Sequence, residues 1–391
     1  MVSCLLAAAL LVAPVAAAGS LDGGAAEASD GGAREHIDWF ALPLLTYNSD
    51  TGLAYGAATQ VQGAGGADPY RFQIAAQVLR STGGLSAHYL RYDVPRLLGT
   101  QIRLWTRVEY HREVFAPYYG AGNQSSSRLA DHPGLSGDHP FTYDRTLPTG
   151  RVGFGFPLND CIHLVTFLGY THVGVKAYPG SLLAQLKPSG FEGGDDLQAS
   201  VGAYYDGRDL EAVPTRGSLV EIGARGASKY ALSDSTYAGV TARYLHFSSP
   251  HPRTVLAVRF EGDLLSHDAP FWALQSFGAT DTIEGVGGQY SARGIPQNRY
   301  IGRAKVVSSV ELRWRLFEKP LFGENANFGL VGFLDAGRVW ELEGDDGPFW
   351  KIHPGYGGGV RLWRRSLVLR MDVASSPDRP LSLYFVFGHF F

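Results

Sequence analysis

The chain has 391 residues, 45% of them hydrophobic, 12% aromatic and 18% charged, with 50 glycines and a formal net charge of −3. Charge is scarcer than the roughly 25% of an average soluble domain, and the slight acidic excess leaves no basic tract for a phosphate backbone, which excludes nucleic acid as a partner. Past the first twenty positions no run of about 18 consecutive apolar residues occurs, which excludes membrane-spanning helices.

Residues 2–18 are apolar and alanine-rich, and Ala16, Ala17 and Ala18 ahead of Gly19 have the small side chains of a signal-peptidase site. Residues 1–18 are therefore expected to be an export signal and Gly19 the mature start. No Lys or Arg precedes the apolar run, a departure from the usual signal that suits a start codon other than Met1. Cys4 leaves with the signal, and Cys161 alone forms no intramolecular disulfide. Residues 19–37, rich in Gly, Ala, Asp and Glu, are too few for a domain of about 40 residues and read as a flexible lead-in.

From residue 38 to 391 the dominant signal is alternation of period two, in segments of about ten residues separated by Gly, Pro, Asp, Asn and Ser clusters. The first half yields strands at 38–47, 52–62, 69–80, 84–95, 99–114, 139–157, 160–173 and 193–206. The second yields 217–228, 235–248, 253–266, 303–317, 327–340, 354–364, 366–374 and 381–391, sixteen in all. Ile102, Leu104, Val108 and Tyr110 share one face while Arg103, Arg107 and Glu109 share the other. Val310, Leu312, Trp314 and Leu316 alternate with Ser309, Glu311, Arg313 and Arg315, and Leu369, Met371 and Val373 alternate with Val368, Arg370 and Asp372. A soluble sandwich also alternates. The export signal and the aromatic strand ends favour a membrane barrel with lipid outside and a polar lumen. The predicted fold is all-β, a 16-stranded antiparallel transmembrane barrel over 38–391 with both ends of the strand series on one side. Its connections are expected to alternate short and long, with 116–138, 176–193 and 266–302 the long, outward ones.

Few residues suggest chemistry. Asp131-His132-Pro133 and Asp138-His139-Pro140 repeat within one long loop, a spacing open to metal binding but more simply read as polar surface. Gly285-Val286-Gly287-Gly288 precedes no helix and is loop glycine rather than a phosphate cradle, and no G-x-S-x-G is present. No cofactor is implied.

Three motifs stand out in the second half. Asp206-Gly207-Arg208-Asp209, followed by Pro214-Thr215-Arg216-Gly217, has the chemistry of a turn, with carboxylates capping amides, Pro fixing φ and Gly tolerating positive φ. Ala292-Arg293-Gly294-Ile295 lies in the longest connection, and Phe333-Leu334-Asp335-Ala336-Gly337 lies in a strand. Alternation puts Glu311, Phe333 and Asp335 on the water-facing side. The three motifs resemble the D-x-R-D and P-x-x-G turn, the V-R-G-F/Y loop tip and the aromatic-x-D-x-G strand of the bacterial surface antigen family. That superfamily includes the BamA and TamA assembly barrels and the two-partner secretion transporters. The resemblance covers roughly 201–391, with Ile295 in place of the aromatic and Ala292 in place of the Val. It implies a long loop folded into the lumen, where Arg293 and Gly294 lock onto Glu311 and Asp335. The C-terminal Phe391, with Phe385 and Phe387 at alternate positions before it, resembles the signal by which barrels are recognised for insertion. The family's assembly members carry periplasmic POTRA domains for which these residues leave no room, so a barrel-only branch is the nearest match.

The resemblance implies a protein of the bacterial outer membrane that inserts, assembles or translocates protein or lipid, without enzymatic activity. The expected partners are outer-membrane lipids, the assembly machinery that inserts the barrel itself, and a polypeptide or lipid client. A seam between strand 38–47 and strand 381–391 would template that client. The alternatives from other classes are a passive pore or structural barrel plugged by the Arg293 loop, and a membrane-embedded enzyme.

Overall fold

The computed structural model describes residues 19–20, 36–64, 70–210, 213–280, 282–321, 324–342, 346–364 and 367–387. Sixteen long strands form the wall. They are β1 His36–Asn48, β2 Gly52–Ala64, β3 Phe72–Ser81, β4 Leu85–Val94, β5 Arg103–Pro117, β6 Thr142–Pro157, β7 Ile162–Ala177 and β8 Gly194–Asp206. The second half adds β9 Gly217–Ala227, β10 Tyr237–His251, β11 Thr254–Leu265, β12 Ala304–Leu321, β13 Glu324–Trp340, β14 His353–Arg364, β15 Leu367–Ser375 and β16 Ser382–Phe387. Each pairs antiparallel with the next, and β16 returns to β1, so the sheet closes on itself.

Closure follows from what alternates. Leu45, Val78, Leu90, Val108, Ile222, Val240, Leu312, Leu334 and Met371 are all exposed although apolar, and they belong to strands all around the ring. Arg91, Asp93, Glu113, Arg145, Glu221, Arg243 and Glu261 point the other way and are buried. A soluble protein would not leave so continuous an apolar band on its outside, whereas lipid requires one, and a closed ring leaves few backbone groups unpaired within it. Exposed Tyr47, Tyr55, Tyr92, Tyr110, Tyr170, Tyr205 and Tyr244 add the aromatic component of the band.

Two details differ from the sequence expectation. The face of Val310, Leu312 and Trp314 does not continue to Leu316, because the β12–β13 ladder shifts register between Arg315 and Phe317 and turns Phe317 outward instead. A bulge inserts one residue and reverses the alternation after it. The connections also follow the short-and-long rule less regularly than expected: it is reversed among the first four, and farther on the short-side connection 207–216 exceeds its long-side neighbour 228–236. At the end of the barrel that carries the long loops, the first two connections, 49–51 and 82–84, are brief, while the opposite ones at 65–71 and 95–102 are longer. The barrel mouth beside β1 to β4 is consequently low, and beside β5 to β12 it is tall.

The tall side carries a dome. Tyr118, Tyr143, Leu182, Leu183, Tyr237, Phe271, Leu274 and Ile301 form one apolar cluster drawn from the 118–141, 178–193 and 266–303 connections and the strand ends beneath them. Its aromatic rings meet edge to face, Tyr118 and Tyr143 each against Phe271. His132 and His139 serve this packing. His132 contacts the Ser126 carbonyl and the Phe141 ring, and His139 lies between Phe115 and Tyr178.

Candidate functional site: the inward loop and the seam

The 266–303 connection enters the lumen and crosses it. On one side Gln275 accepts from Tyr143 Oη at 2.8 Å and from Arg145 at 3.1 Å. On the other side the tip, Ala292 to Ile295, is fully buried against β12 to β16. Backbone that leaves a sheet must find other partners for its polar groups. Here wall arginines supply them: Arg259 donates to the carbonyls of Tyr290 and Ser291, and Arg370 donates to that of Gln289 at 3.0 Å.

Arg293 is the centre of the tip. Its Nε and one terminal nitrogen donate to the two oxygens of Asp335 at 2.8 and 3.0 Å, and its own backbone N–H donates to the same carboxylate at 3.0 Å. The remaining nitrogen reaches Glu311 at 2.6 Å and Asp372 at 3.3 Å. The guanidinium plane lies 3.5 Å from the Phe333 ring centre, within reach of a cation–π attraction. Arg313 holds Glu311 from the far side at 2.8 Å, and Arg361 holds Asp372. Four guanidinium groups, counting Arg370, thus surround three carboxylates that are themselves shut off from solvent. The fork geometry of Arg matches each carboxylate in a way a Lys ammonium cannot.

The wall is shaped for this insertion by glycines. A Cβ on Gly355 would lie 1.9 Å from the Arg293 carbonyl oxygen, and one on Gly337 would lie 2.3 Å from Val286 of the loop. Phe333, Asp335 and Gly337 all face inward, so one strand supplies a ring beneath the arginine, its carboxylate partner and a vacancy for the next loop side chain. Gly294 has φ +89 and sits against Ser375, where a side chain would collide with backbone. Its N–H donates to Tyr384 Oη at 3.1 Å, and its carbonyl accepts from Ser376 at 2.9 Å and from Ser382 at 3.3 Å.

Those last contacts bring the loop to the seam. Among the described residues β16 meets β1 through only two pairs, Tyr384 with Asn48 and Phe385 with Tyr47, next to the 49–51 turn. An Arg379–Asp50 ion pair at 2.7 Å and the Ser49–Leu383 backbone bond at 3.0 Å reinforce that end. The loop touches the β1 side as well, through Asn48 to Gln289 at 3.2 Å and through the Gln297 N–H to Asp50 at 3.2 Å. Farther along, the edge of β1 turned away from β2 pairs with Gly19–Ser20 at Trp39 and Asp38. Pro43 lies in this strand, a residue that sheets place at edges because it has no N–H to give. β1 is apolar on both faces, with Leu45 and Tyr47 outward and Leu42 and Leu44 inward.

The turn motif stands at the opposite end. Asp206 binds the Arg208 guanidinium at 2.8 and 2.7 Å, and Asp209 accepts from the N–H groups of Leu210, Thr215 and Arg216. Pro214 is buried, and Gly217 takes φ +99 where a Cβ would lie 2.1 Å from the Gly207 carbonyl oxygen. The motif therefore closes the base of a ten-residue connection rather than a tight turn. Of the terminal aromatics, Phe385 is half-buried on the lipid side and Phe387 ends the described strand, while Phe391 lies outside the described residues. Asp372, Arg361 and the β14 glycines completed the arginine site unannounced. Their only prior signal was that Asp372 falls on the lumen face and that Gly355, Gly357, Gly358 and Gly359 crowd one strand.

The sequence profile described as the Omp85 superfamily domain matches residues 73–391. No curated protein matches the chain. Among solved structures, BamA from Haemophilus ducreyi lacking POTRA domains 1–3 superposes with a TM-score of 0.60 at 17% identity, over 90% of this chain and 70% of that one. CdiB from Escherichia coli gives 0.58 at 12% identity, over 90% of this chain and 62% of its own. CdiB from Acinetobacter baumannii gives 0.52 at 12% identity, with 90% and 59% covered. The chain spans less than two thirds of either CdiB, and at these identities the likeness is one of fold.

Proposed function

The chain belongs to the Omp85 superfamily, and from that premise we propose that it inserts, assembles or translocates macromolecules at the bacterial outer membrane by opening the β1–β16 seam. Residues 1–18 direct its export, the 38–391 barrel lies in the outer membrane, and the short-turn end of β5 to β16 faces the periplasm. The observation that carries the reading is the seam itself. Among the described residues every other pair of neighbouring strands is joined by a ladder of six or more residues, and this one by two. A strand edge with unused N–H and C=O groups recruits another strand, since the new hydrogen bonds replace ones that lipid cannot supply. That chemistry favours a polypeptide client over a lipid one. The Gly19–Ser20 pairing on the β1 edge is an example within the chain of the addition a client would make. The apolar inner face of β1 lets an amphipathic strand pass the seam without leaving a polar surface for a purely apolar one.

The test uses a Cys161→Ser background carrying Tyr47→Cys and Phe385→Cys, with a photo-crosslinking residue at Leu45. Under reducing conditions a nascent outer-membrane protein is expected to be trapped at Leu45, and oxidation across the seam is expected to abolish trapping while the barrel stays folded. Equal trapping in both states would overturn the reading. No trapping, together with ion conductance that appears when the 276–300 segment is shortened, would establish a plugged pore instead.

A further inference from the structure

The rim opposite the dome holds a cavity that neither the loop nor the seam uses. β11 pairs with β12 only as far as Thr254 opposite Trp314, followed by one more bond from the Arg315 N–H to the Arg253 carbonyl at 2.7 Å. β12 and β13 continue past that point to Leu321 and Glu324, so their hairpin overhangs the short turn before β11. Between the overhang, that turn and the base of the 207–216 connection lies a cavity of 530 Å³.

Its lining is split by polarity. Arg216, Arg253 and Arg315 bring three exposed guanidinium groups to its mouth, and Arg313 and Arg361 stand behind them. Asp209 is the one carboxylate among the residues lining it, and its oxygens are already taken by Thr215 and by three backbone N–H groups. Arg313 and Arg361 are answered by Glu311 and Asp372. Among the described residues no carboxylate is within ion-pair distance of Arg216, Arg253 or Arg315, while Arg315 is steadied by the Pro252 carbonyl at 3.4 Å. The opposite wall is apolar: Trp314 and Leu330 face the lipid side, 51% and 41% exposed, and Trp363 lies over Gly329.

We infer that this cavity binds the anionic phosphate headgroup of a membrane lipid, with the acyl chains descending along Trp314 and Leu330. A phosphate group matches the fork of an arginine, and clustered basic residues beside a bilayer surface attract anionic lipids. Trp at the rim suits the headgroup level, where one edge of the ring is wet and the rest is not. A free phosphate would use the arginines alone. The apolar wall, continuous with the outer surface, is what assigns the lipid as the source. The inference rests on the membrane orientation proposed above but not on the opening of the seam.

The test takes the full-length barrel in a neutral detergent and titrates it with phosphatidylglycerol carrying brominated acyl chains, reading quenching of tryptophan fluorescence. Brominated phosphatidylcholine and inorganic phosphate serve as the comparison ligands. Phosphatidylglycerol is expected to bind at least about tenfold more tightly than phosphatidylcholine, from roughly fivefold per exposed basic residue. Arg216→Gln with Arg253→Gln and Arg315→Gln should remove that preference, and Trp314→Phe should remove most of the quenching. Arg315→Gln alone, expected to cut the preference about fivefold, keeps the test open if the triple variant does not fold. Equal affinity for both lipids, or an unchanged preference in the variants, would overturn the inference. Complete competition by millimolar inorganic phosphate would also overturn it, by assigning the arginines to a soluble anion. Loss of seam trapping leaves this result untouched, so the two readings fail separately.

Discussion

The β12–β13 wall and the β16–β1 seam are built from the same kind of alternating strand and differ in nearly everything that holds them. β12 and β13 are paired from Ala304–Trp340 to Leu321–Glu324 with one shift of register, and their inner face carries Glu311 and Asp335 bound to Arg293. Among the described residues the seam has two pairs of its own, at one end, and borrows further support from Asp50, Arg379 and the loop tip. Rigidity is therefore concentrated where the loop docks, and the joint proposed to part for a client is held by a few polar contacts. Ladder bonds cannot be undone without exposing backbone to lipid, whereas side-chain contacts made by a loop can be withdrawn together.

The largest predicted effect breaks the strong side of this comparison. Arg293→Ala leaves Glu311 and Asp335 buried without their central cation, which should cost about 3 to 5 kcal/mol of loop docking. It should also make the 266–303 connection a rapid substrate for an added protease. Arg293→Lys keeps the charge but loses the paired bonds to Asp335 and should fall between the two. The comparison of unheated and heated migration on gels distinguishes a loosened loop from a lost barrel. Wild-type protease resistance in Arg293→Ala would remove Arg293 from the docking of the loop.

A second substitution tests docking without altering charge. Gly355→Val puts a side chain where the Arg293 carbonyl lies 1.9 Å from the ideal Cβ position. The tip then has to retreat at a cost typical of overpacking, about 1 to 3 kcal/mol. Protease sensitivity should rise less than in Arg293→Ala, and Gly358→Ala, whose nearest neighbour is at 3.1 Å, should rise less again. If Gly355→Val matches wild type, the tip is not seated against β14.

How much of this was legible in the sequence depended on range. The strands announce themselves because a membrane wall imposes period two on every segment, and the same rule put Glu311, Phe333 and Asp335 on one inner face before any fold was known. Sequence alternation carries no information across the lumen. Nothing in the chain from Gln275 to Arg293 says that one end meets β6 and the other β13, and the loop's inward course came only from the resemblance of Arg293-Gly294. Asp372 was visible as an inward carboxylate but not as a third partner of Arg293, because it lies 79 residues away. The bulge after Arg315 was hidden because it needs knowledge of both strands. Gly355 reads in sequence as a weak strand residue, and its purpose is clear only once the Arg293 carbonyl is seen against it.

The smallest predicted effect falls where the two regions meet. Tyr384 faces Asn48 across the seam while its hydroxyl accepts the Gly294 N–H at 3.1 Å. Tyr384→Phe keeps the ring and both backbone pairs but leaves that buried N–H without its acceptor, a loss of about 1 kcal/mol or somewhat more. If loop and seam were independent, this change would raise protease sensitivity of the loop slightly and leave the seam alone. Because Gly294 also receives Ser382 of β16, and Gln297 of the same loop holds Asp50 beside β1, a slackened tip withdraws support from both sides of the seam. The expected outcome is thus a small rise in two readings together, loop proteolysis and client trapping at Leu45, with barrel migration unchanged. A rise in the first without the second would separate the loop from the seam and make it a plug alone.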